Sequence, residues 1–171
     1  MTPAEAARDL LASAGQRGLT VAVAESLTGG MVSSALVGEP GASAVLVGAV
    51  VCYATRLKAQ VLGVSQERLE ATGPVDGEVA RQMARGVARV LGADVGLATT
   101  GVAGPGPSGG HVPGEVYVAA WGPWGTVVDA LRLEGDRLGR LGVRQASATA
   151  VLRLALAQIR ALEKMETQDT T

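Results

Sequence analysis

Three side chains that can take part in nucleophilic catalysis lie at the ends of two apolar runs. Ser26 follows the apolar run 20–24, while Tyr53 and Lys58 lie at and just beyond the end of the run 45–53. A serine needs a base to become a nucleophile, and a lysine whose pKa is lowered by burial can be that base. Because parallel strands end at one edge of a sheet, we predict that the three groups lie close together. The alternative is a solvated Lys58 and a Tyr53 that only packs.

The segment around Ser26 has the composition of a strand, a tight turn and the start of a helix. The apolar run stops at the polar segment 25–28, and the two glycines Gly29 and Gly30 follow. Such a turn exposes free N–H groups and the positive end of a helix dipole, which favours an anionic ligand. Alternatively, Ser26 or Thr28 only caps the following helix. The segment is neither a G-x-S-x-G elbow nor a P-loop.

A second candidate region is the loop 100–114, which has six glycines and three prolines. Gly104, Gly106 and Gly109 spell G-x-G-x-x-G, but a strand follows them, whereas the dinucleotide motif must open a helix. The match is therefore false. Consecutive N–H groups in such a loop can still form an anion-binding nest, and a ligand-free surface loop is the alternative.

Other polar residues offer further hypotheses. His111 is the only histidine, so a Ser-His triad must use it, with Glu115 as the carboxylate in reach. Arg137, Arg140 and Arg144 have helical spacing and are predicted to share one face, where they hold a phosphate or are simply solvated.

Composition excludes several classes of function. A net charge of −1, a pI near 5.8 and only two Trp, two Tyr and no Phe give no basis for nucleic-acid binding. One cysteine, Cys52, excludes an internal disulfide and is expected to be buried and inert; with one histidine, it makes a zinc site improbable. The uncharged window 40–55 is too short to span a bilayer, and no export signal is visible, so we expect a cytoplasmic protein without membrane contact.

The hydrophobic pattern predicts one domain at 1–165, followed by a polar tail at 166–171. The run 45–53 is almost unbroken Val, Leu and Ala, which predicts a central strand buried on both faces. The fold class is α/β, a three-layer α/β/α sandwich with a mostly parallel sheet and one antiparallel strand. Helices are predicted at 3–14, 31–37, 54–62, 65–71, 76–91 and 137–164, and strands at 19–24, 45–53, 94–99, 115–121 and 126–133.

Six motifs together resemble a known family. AESLTGG, YATRLKAQVLGV, TGPVDGEVARQMARG, TTGVAGPG, PGEVYVA and EGDRLGRLGVRQA occur in the order found in the carboxy-terminal domain of the competence/damage-inducible protein CinA. The resemblance covers nearly the whole chain, from about Ala6 to Leu162. That family includes the nicotinamide mononucleotide deamidases, and the amino-terminal domain of full-length CinA has no counterpart in this sequence.

The resemblance implies hydrolysis of nicotinamide mononucleotide to nicotinic acid mononucleotide and ammonia, without a metal or other cofactor, in pyridine nucleotide salvage. It implies Ser26 as nucleophile, Lys58 as base, and Tyr53 to orient Lys58 or relay protons. It also implies a homodimer. The residues implied in substrate binding are Glu25, Thr28, Gly29 and Gly30 at the first turn, with Thr28 and the glycines as oxyanion donors, and Thr100, Gly101, Gly104 and Arg144 toward the ribose phosphate.

The sequence departs from the family pattern near the site. Leu27 replaces a cysteine, Asp76 replaces a serine, and the segment 54–56 reads Ala-Thr-Arg where the family has Ser-Asn-Glu. The arginine expected in the second strand aligns near Gly48, and the loop 100–114 is shortened. These departures support an alternative hypothesis, a catalytically silent module that binds a nucleotide or a partner in competence or the response to DNA damage.

Overall fold

The computed structural model describes residues 1–168, with side chains described to residue 162. None of the helices in these residues is long and apolar enough to cross a membrane. The described elements are α1 (Pro3–Gln16), β1 (Val21–Glu25), α2 (Met31–Val37), a 3-10 turn (Ala42–Ala44), β2 (Leu46–Val51), α3 (Thr55–Leu62), α4 (Gln66–Thr72), α5 (Gly77–Leu91), β3 (Val95–Gly101), β4 (Glu115–Gly122), β5 (Gly125–Arg132) and α6 (Gly135–Gln168).

The five strands form one sheet in the order β2-β1-β3-β4-β5. β1 pairs in parallel with β2 and β3, whereas β4 runs antiparallel to both β3 and β5. One strand therefore opposes the other four, as predicted. Because β4 lies between β3 and β5, only two of the four strand pairs are parallel, so the sheet is less parallel than the description "mostly parallel" suggests.

Helices cover both faces of this sheet, which confirms the three-layer α/β/α fold. Successive side chains of a strand point to opposite faces. In β1, Val21 and Val23 pack in the core under α1, α2 and α6, while Ala22 and Ala24 face the core under α3, α4 and α5. The second face is lined by small residues, so α5 comes very close. A Cβ on Gly96 would lie 1.9 Å from the carbonyl oxygen of Ala84 on α5.

The prediction of a central strand at 45–53 is wrong, because β2 lies at the edge of the sheet. Burial along β2 alternates, and the side chains of Val47 and Val51 are each 47% exposed. A run of Val, Leu and Ala is typical of a strand buried on both faces, but one side of β2 has no neighbouring strand among the described residues. The sequence pattern does not distinguish an apolar edge from a core strand.

The last helix also differs from its prediction. Gly139 has non-helical φ and ψ of 64° and 173°, so a break separates Arg137 from the long helix that follows. Arg137 pairs with Glu134 on the near side of this break. The prediction that three arginines share one helical face is therefore wrong for Arg137. Of the predicted polar tail, residues 166–168 belong to α6, and 169–171 lie outside the described residues.

Candidate active site

A buried lysine and a serine meet at the carboxyl edge of the sheet. The Nζ of Lys58, on α3, donates to the Oγ of Ser26, just after β1, across 3.1 Å. Lys58 is 1% exposed and Ser26 is 8% exposed. The amine is also held by the main-chain carbonyl of Cys52 at 2.9 Å and more weakly by that of Tyr53 at 3.5 Å. The structure thus brings together the two residues that the family resemblance implies as base and nucleophile.

Burial lowers the pKa of Lys58 below its ordinary value of 10.5, because removal from water penalises the ammonium form. Cys52 opposes this pKa shift, and burial in turn raises the pKa of the Cys52 thiol. No described carboxylate forms a salt bridge with Lys58 that would restore its ordinary pKa. An amine that loses its proton more readily than an exposed lysine can accept the proton of the Ser26 hydroxyl.

Tyr53 lies beside this pair, but not in the expected way. Its side chain is 64% exposed and lines the cavity in front of Ser26. The contact that Tyr53 makes with Lys58 comes from its main-chain carbonyl, and within the described residues no hydrogen bond joins the phenol to the amine. The geometry therefore does not support the expectation that the phenol orients Lys58, and the alternative that it relays protons stays a prediction. The main-chain carbonyls of Cys52 and Tyr53 hold the amine instead.

Glu25 fixes the turn after β1. Its buried carboxylate accepts hydrogen bonds from the N–H groups of Gly30, Val32 and Ser33 at 2.8–3.0 Å, and from the Ser33 hydroxyl at 2.8 Å. These are donors at the start of α2 that otherwise lack partners. The alternative that Ser26 or Thr28 caps this helix is wrong, since Gly30 is the N-cap and offers no side chain. Glu25 does not line the cavity, so its expected contact with the substrate is not supported.

Gly29 and Gly30 allow the turn because their φ values of 58° and 95° are unfavourable for residues with a side chain. Their N–H groups are not free to bind an oxyanion. Gly29 donates to the Ser26 carbonyl at 3.2 Å, and Gly30 donates to Glu25 at 2.9 Å. We therefore correct the expectation that these two glycines are oxyanion donors.

The donors that remain open are the N–H groups of Leu27 and Thr28, which have no acceptor in the described part of the chain. Leu27 also lines the cavity. The Thr28 side chain is fully buried, and its hydroxyl pairs with that of Thr99 at 2.8 Å. Leu27 is not among the residues that the sequence predicts for the site, because its contribution comes from the main chain and no side-chain pattern reveals it.

A cavity of about 450 Å³ opens in front of Ser26 and Lys58. This volume falls in the range of small-molecule sites. Its lining includes three predicted binding residues, Thr100, Gly101 and Gly104. The Thr100 hydroxyl donates to the Pro74 carbonyl at 2.6 Å, so this side chain secures the neighbouring loop. Gly101 has no room for a side chain, because a Cβ there would lie 2.6 Å from the Glu115 carbonyl oxygen.

The two arginines beyond the helix break have different environments. Arg144 donates to the carbonyls of Leu27 at 3.0 Å and Thr28 at 2.8 Å, and it does not line the cavity. Its expected contact with the ribose phosphate is not supported, since its guanidinium is already bound to the turn. Arg140 lines the cavity and donates to the carbonyl of Gly104. Sequence spacing alone could not separate these two roles.

The hypothesis of a Ser-His triad finds no support in the geometry. His111 does pair with Glu115, with Nδ1 and Oε1 3.0 Å apart. However, His111 is not among the residues that line the cavity, and the Ser26 hydroxyl accepts its hydrogen bond from Lys58. The histidine instead contacts Glu115, the first residue of β4, at the end of the glycine-rich loop.

Asp76, which replaces a serine of the family pattern, has a structural role. Its carboxylate accepts from the N–H groups of Glu78 and Val79 and so caps α5. It also forms two hydrogen bonds with Arg68, at 2.8 and 2.7 Å. The Arg68 guanidinium lowers the pKa of Asp76. An aspartate keeps the capping oxygen that a serine would supply, and Asp76 is not among the residues that line the cavity.

The fold is an α/β/α sandwich, and the carboxyl edge of its sheet carries a serine and a buried lysine amine that face a cavity. This arrangement defines the class: α/β proteins with a small-molecule site at the carboxyl ends of their strands. The chain belongs to the CinA C-terminal domain family, whose sequence profile it matches over residues 4–159. This membership confirms the resemblance found in the motifs.

Curated relatives share nearly half of their aligned residues with the chain. A CinA-like protein of Frankia casuarinae is 45% identical over 154 residues, which cover 90% of this chain and 36% of that protein. A CinA-like protein of Gloeobacter violaceus is 46% identical, with 88% and 37% covered. A putative competence-damage inducible protein of Desulforamulus reducens is 44% identical, with 81% and 33% covered. The chain thus spans about a third of the length of these relatives.

Solved structures of related proteins share the fold of this chain over nearly its whole length. The competence/damage inducible protein CihA from Agrobacterium tumefaciens has a TM-score of 0.85 and 34% identity, covering 91% of this chain and 94% of that one. A competence or damage-inducible protein from Enterobacter asburiae has a TM-score of 0.87 and 27% identity, with 93% and 99% covered. A CinA superfamily protein from Klebsiella pneumoniae, at 23% identity, shows the same fold with a TM-score of 0.88 and 94% and 99% covered.

Proposed function

We propose that the protein is an amidohydrolase that converts nicotinamide mononucleotide to nicotinic acid mononucleotide and ammonia. The observation that carries this proposal is the contact of 3.1 Å between the Lys58 amine and the Ser26 hydroxyl in the wall of the cavity. The reaction class follows from this pair, and the choice of substrate follows from the family resemblance. The departures at Leu27 and Asp76 leave the pair intact.

In the first step, Lys58 accepts the Ser26 proton while Oγ attacks the carboxamide carbon. The carbonyl double bond opens, and the negative oxygen accepts hydrogen bonds from the N–H groups of Leu27 and Thr28. Each good oxyanion donor contributes about 3–4 kcal/mol to such a transition state. Lys58 then returns the proton to the leaving nitrogen, the carbon–nitrogen bond breaks, and ammonia departs. An ester between Ser26 and the pyridine carbonyl remains.

Water completes the reaction. Lys58 takes a proton from a water molecule, whose oxygen attacks the ester carbon, and the same two N–H groups hold the oxyanion again. Collapse breaks the bond to Oγ, and Lys58 returns its proton to Ser26. The product is the pyridine carboxylic acid, and the released proton goes to solvent. One amine serves as base and acid in both halves, because it contacts the nucleophile directly.

The cellular setting belongs to the same proposal. We place the protein in the cytoplasm, in pyridine nucleotide salvage, as a homodimer without nucleic-acid or membrane partners. Light scattering on the purified protein measures the mass of the assembly, and a monomer at micromolar concentration would contradict the dimer.

The test is release of ammonia from nicotinamide mononucleotide by the purified protein, measured with a coupled glutamate dehydrogenase assay. We expect turnover by the wild type and none by Ser26→Ala. Ser34→Ala, at an exposed serine of α2, is the matched control and keeps wild-type turnover. Calorimetric binding of the nucleotide without ammonia release would reject the enzyme and favour a silent nucleotide-binding module.

A further inference from the structure

Two arginines one helical turn apart contact different parts of the candidate site. Arg144 contacts the turn that follows β1, and Arg140 faces the cavity. We propose that they serve opposite ends of one substrate: Arg140 binds its phosphate, and Arg144 positions the oxyanion donors without touching the substrate. This inference rests on the proposed function, and it departs from the family expectation that Arg144 holds the phosphate.

The role of Arg144 follows from the geometry of the peptide unit. In a trans peptide the C=O and the N–H of the same unit point in opposite directions. Arg144 binds the Leu27 carbonyl, which belongs to the same peptide unit as the Thr28 N–H. The guanidinium therefore fixes the direction of that N–H. The Leu27 N–H is fixed in the same way, because the Ser26 carbonyl of its peptide unit accepts from Gly29.

Glu25 and Arg144 bind different polar atoms of this turn. Glu25 takes the N–H groups at the start of α2, and Arg144 takes the carbonyls of Leu27 and Thr28. The N–H groups of Leu27 and Thr28 are left without an acceptor in the described part of the chain. Donors fixed in this way need no reorganisation when negative charge develops, which is the condition for strong oxyanion stabilisation.

The surroundings of Arg140 suit the binding of an anion. Its one described hydrogen bond goes to the Gly104 carbonyl, and within the described residues it forms no salt bridge with a carboxylate. The N–H groups of Ala103, Gly104 and Gly106, in the same cavity wall, lack acceptors within residues 1–168. Neighbouring free N–H groups beside an uncompensated guanidinium match the charge and hydrogen-bonding needs of a phosphate monoester.

The experiment compares Arg140→Met and Arg144→Met with Arg137→Met. The control arginine pairs with Glu134 and does not line the cavity. Steady-state kinetics are measured with nicotinamide mononucleotide and with the riboside that lacks its phosphate. We expect Arg140→Met to raise KM for the nucleotide at least about tenfold and to leave kcat/KM for the riboside unchanged. Arg144→Met should lower kcat about 100-fold or more for both substrates, with KM nearly unchanged.

Two further measurements keep the outcomes separable. Arg144→Lys, whose single ammonium cannot bridge both carbonyls as well, should restore part of kcat, and thermal unfolding identifies a variant that has lost its fold. If Arg144→Met weakens nucleotide affinity and leaves riboside turnover intact, the inference is overturned. It is overturned equally if Arg140→Met leaves the KM for the nucleotide unchanged.

Failure of the inference is distinct from failure of the proposed function. If the wild type releases no ammonia, the amidohydrolase proposal fails, and the kinetic part that concerns Arg144 fails with it. Calorimetric titration of the nucleotide into wild type and Arg140→Met then decides the phosphate contact alone. Equal affinities would overturn it. If the wild type turns over normally and the arginine variants show no split between KM and kcat, the function stands and the inference falls.

Discussion

The amine of Lys58 contacts the hydroxyl of Ser26 at 3.1 Å, although 32 residues separate them in the chain. The contact forms because β1 and β2 are parallel neighbours, so the segments that follow both strands leave the sheet at the same edge. Lys58 lies on the buried side of α3, where the carbonyls of Cys52 and Tyr53 direct its amine toward Ser26. Under the proposed function, an amine in that position is the base that activates Ser26.

Replacement of Lys58 by methionine should remove the general base while it preserves the volume of the side chain. We expect kcat to fall by about 10²–10⁴-fold, the usual contribution of a positioned acid or base. The matched control is Arg56→Met on the same helix, where the arginine is exposed and contacts Gln60. Ammonia release measures both. Equal turnover in the two variants would exclude Lys58 as the base.

The pH dependence of the reaction should report the lowered pKa of Lys58. Activity requires the neutral amine, so kcat/KM should rise with pH and reach its plateau below the ordinary lysine value of 10.5. Kinetics from about pH 6 to about pH 10 cover this limb. Lys58→Arg, whose guanidinium stays protonated, should show no such rise. A flat profile in the wild type would contradict the assignment.

Stability should change with pH through the same group. Between the lowered pKa of folded Lys58 and 10.5, the unfolded chain binds more protons than the folded protein, so the free energy of unfolding rises with pH. Lys58→Met lacks this contribution. Urea denaturation at the two ends of the window should therefore show that the wild type gains stability relative to the variant as pH rises. Parallel pH curves would indicate a lysine pKa that folding does not change.

Glu25→Gln should damage the turn after β1. The buried carboxylate accepts four hydrogen bonds, and glutamine would turn an NH₂ group toward N–H donors. Loss of charge-assisted hydrogen bonds at a buried site costs about 2 kcal/mol or more. Chemical denaturation measures the loss, and the exposed Glu67→Gln on α4 is its control. A variant as stable as the control would show that the carboxylate does not anchor α2.

Substitutions of Asp76 test whether this departure from the family pattern affects stability and not turnover. Asp76→Ala should lower the free energy of unfolding by about 1 kcal/mol, since α5 loses its cap, while Asp76→Ser keeps a capping oxygen and loses only the bond to Arg68. The pKa of Asp76 is lowered, so its contribution is lost as pH falls through that value. Nucleotide turnover should be unchanged in both variants. Reduced turnover in the serine variant would place Asp76 in the site.

Sequence patterns predict the elements and place Ser26 and Lys58 at the same edge of the sheet, because both depend on strand order. A solvated Lys58 stays an alternative on these patterns alone, and its role as base comes from the family resemblance. A β-branched run followed by a polar turn identifies where a strand ends, and parallel neighbours bring such ends together. The same reasoning fails for β2, since its composition does not show that one side has no partner strand among the described residues.

The contributions of individual polar groups cannot be predicted in this way, because main-chain atoms decide them. The resemblance implies that Glu25 contacts the substrate, but its carboxylate is used by the N–H groups that begin α2. It also implies Arg144 at the phosphate, but two carbonyls hold this arginine at the turn. The break at Gly139 then separates arginines whose spacing suggests one shared face. Contacts between a side chain and a distant main chain leave no period or motif in the sequence.

The hydrogen bond from Arg144 to Leu27 joins residues 117 positions apart. During synthesis on a ribosome, the chain emerges from its amino terminus, so β1 and its turn are exposed long before α6 exists. Until that helix emerges and docks, the carbonyls of the turn lack their guanidinium, and Ser26 lies next to a segment that Arg144 does not yet hold. If the proposed function holds, a nascent chain of this protein is therefore expected to stay inert toward amides until α6 has emerged and docked.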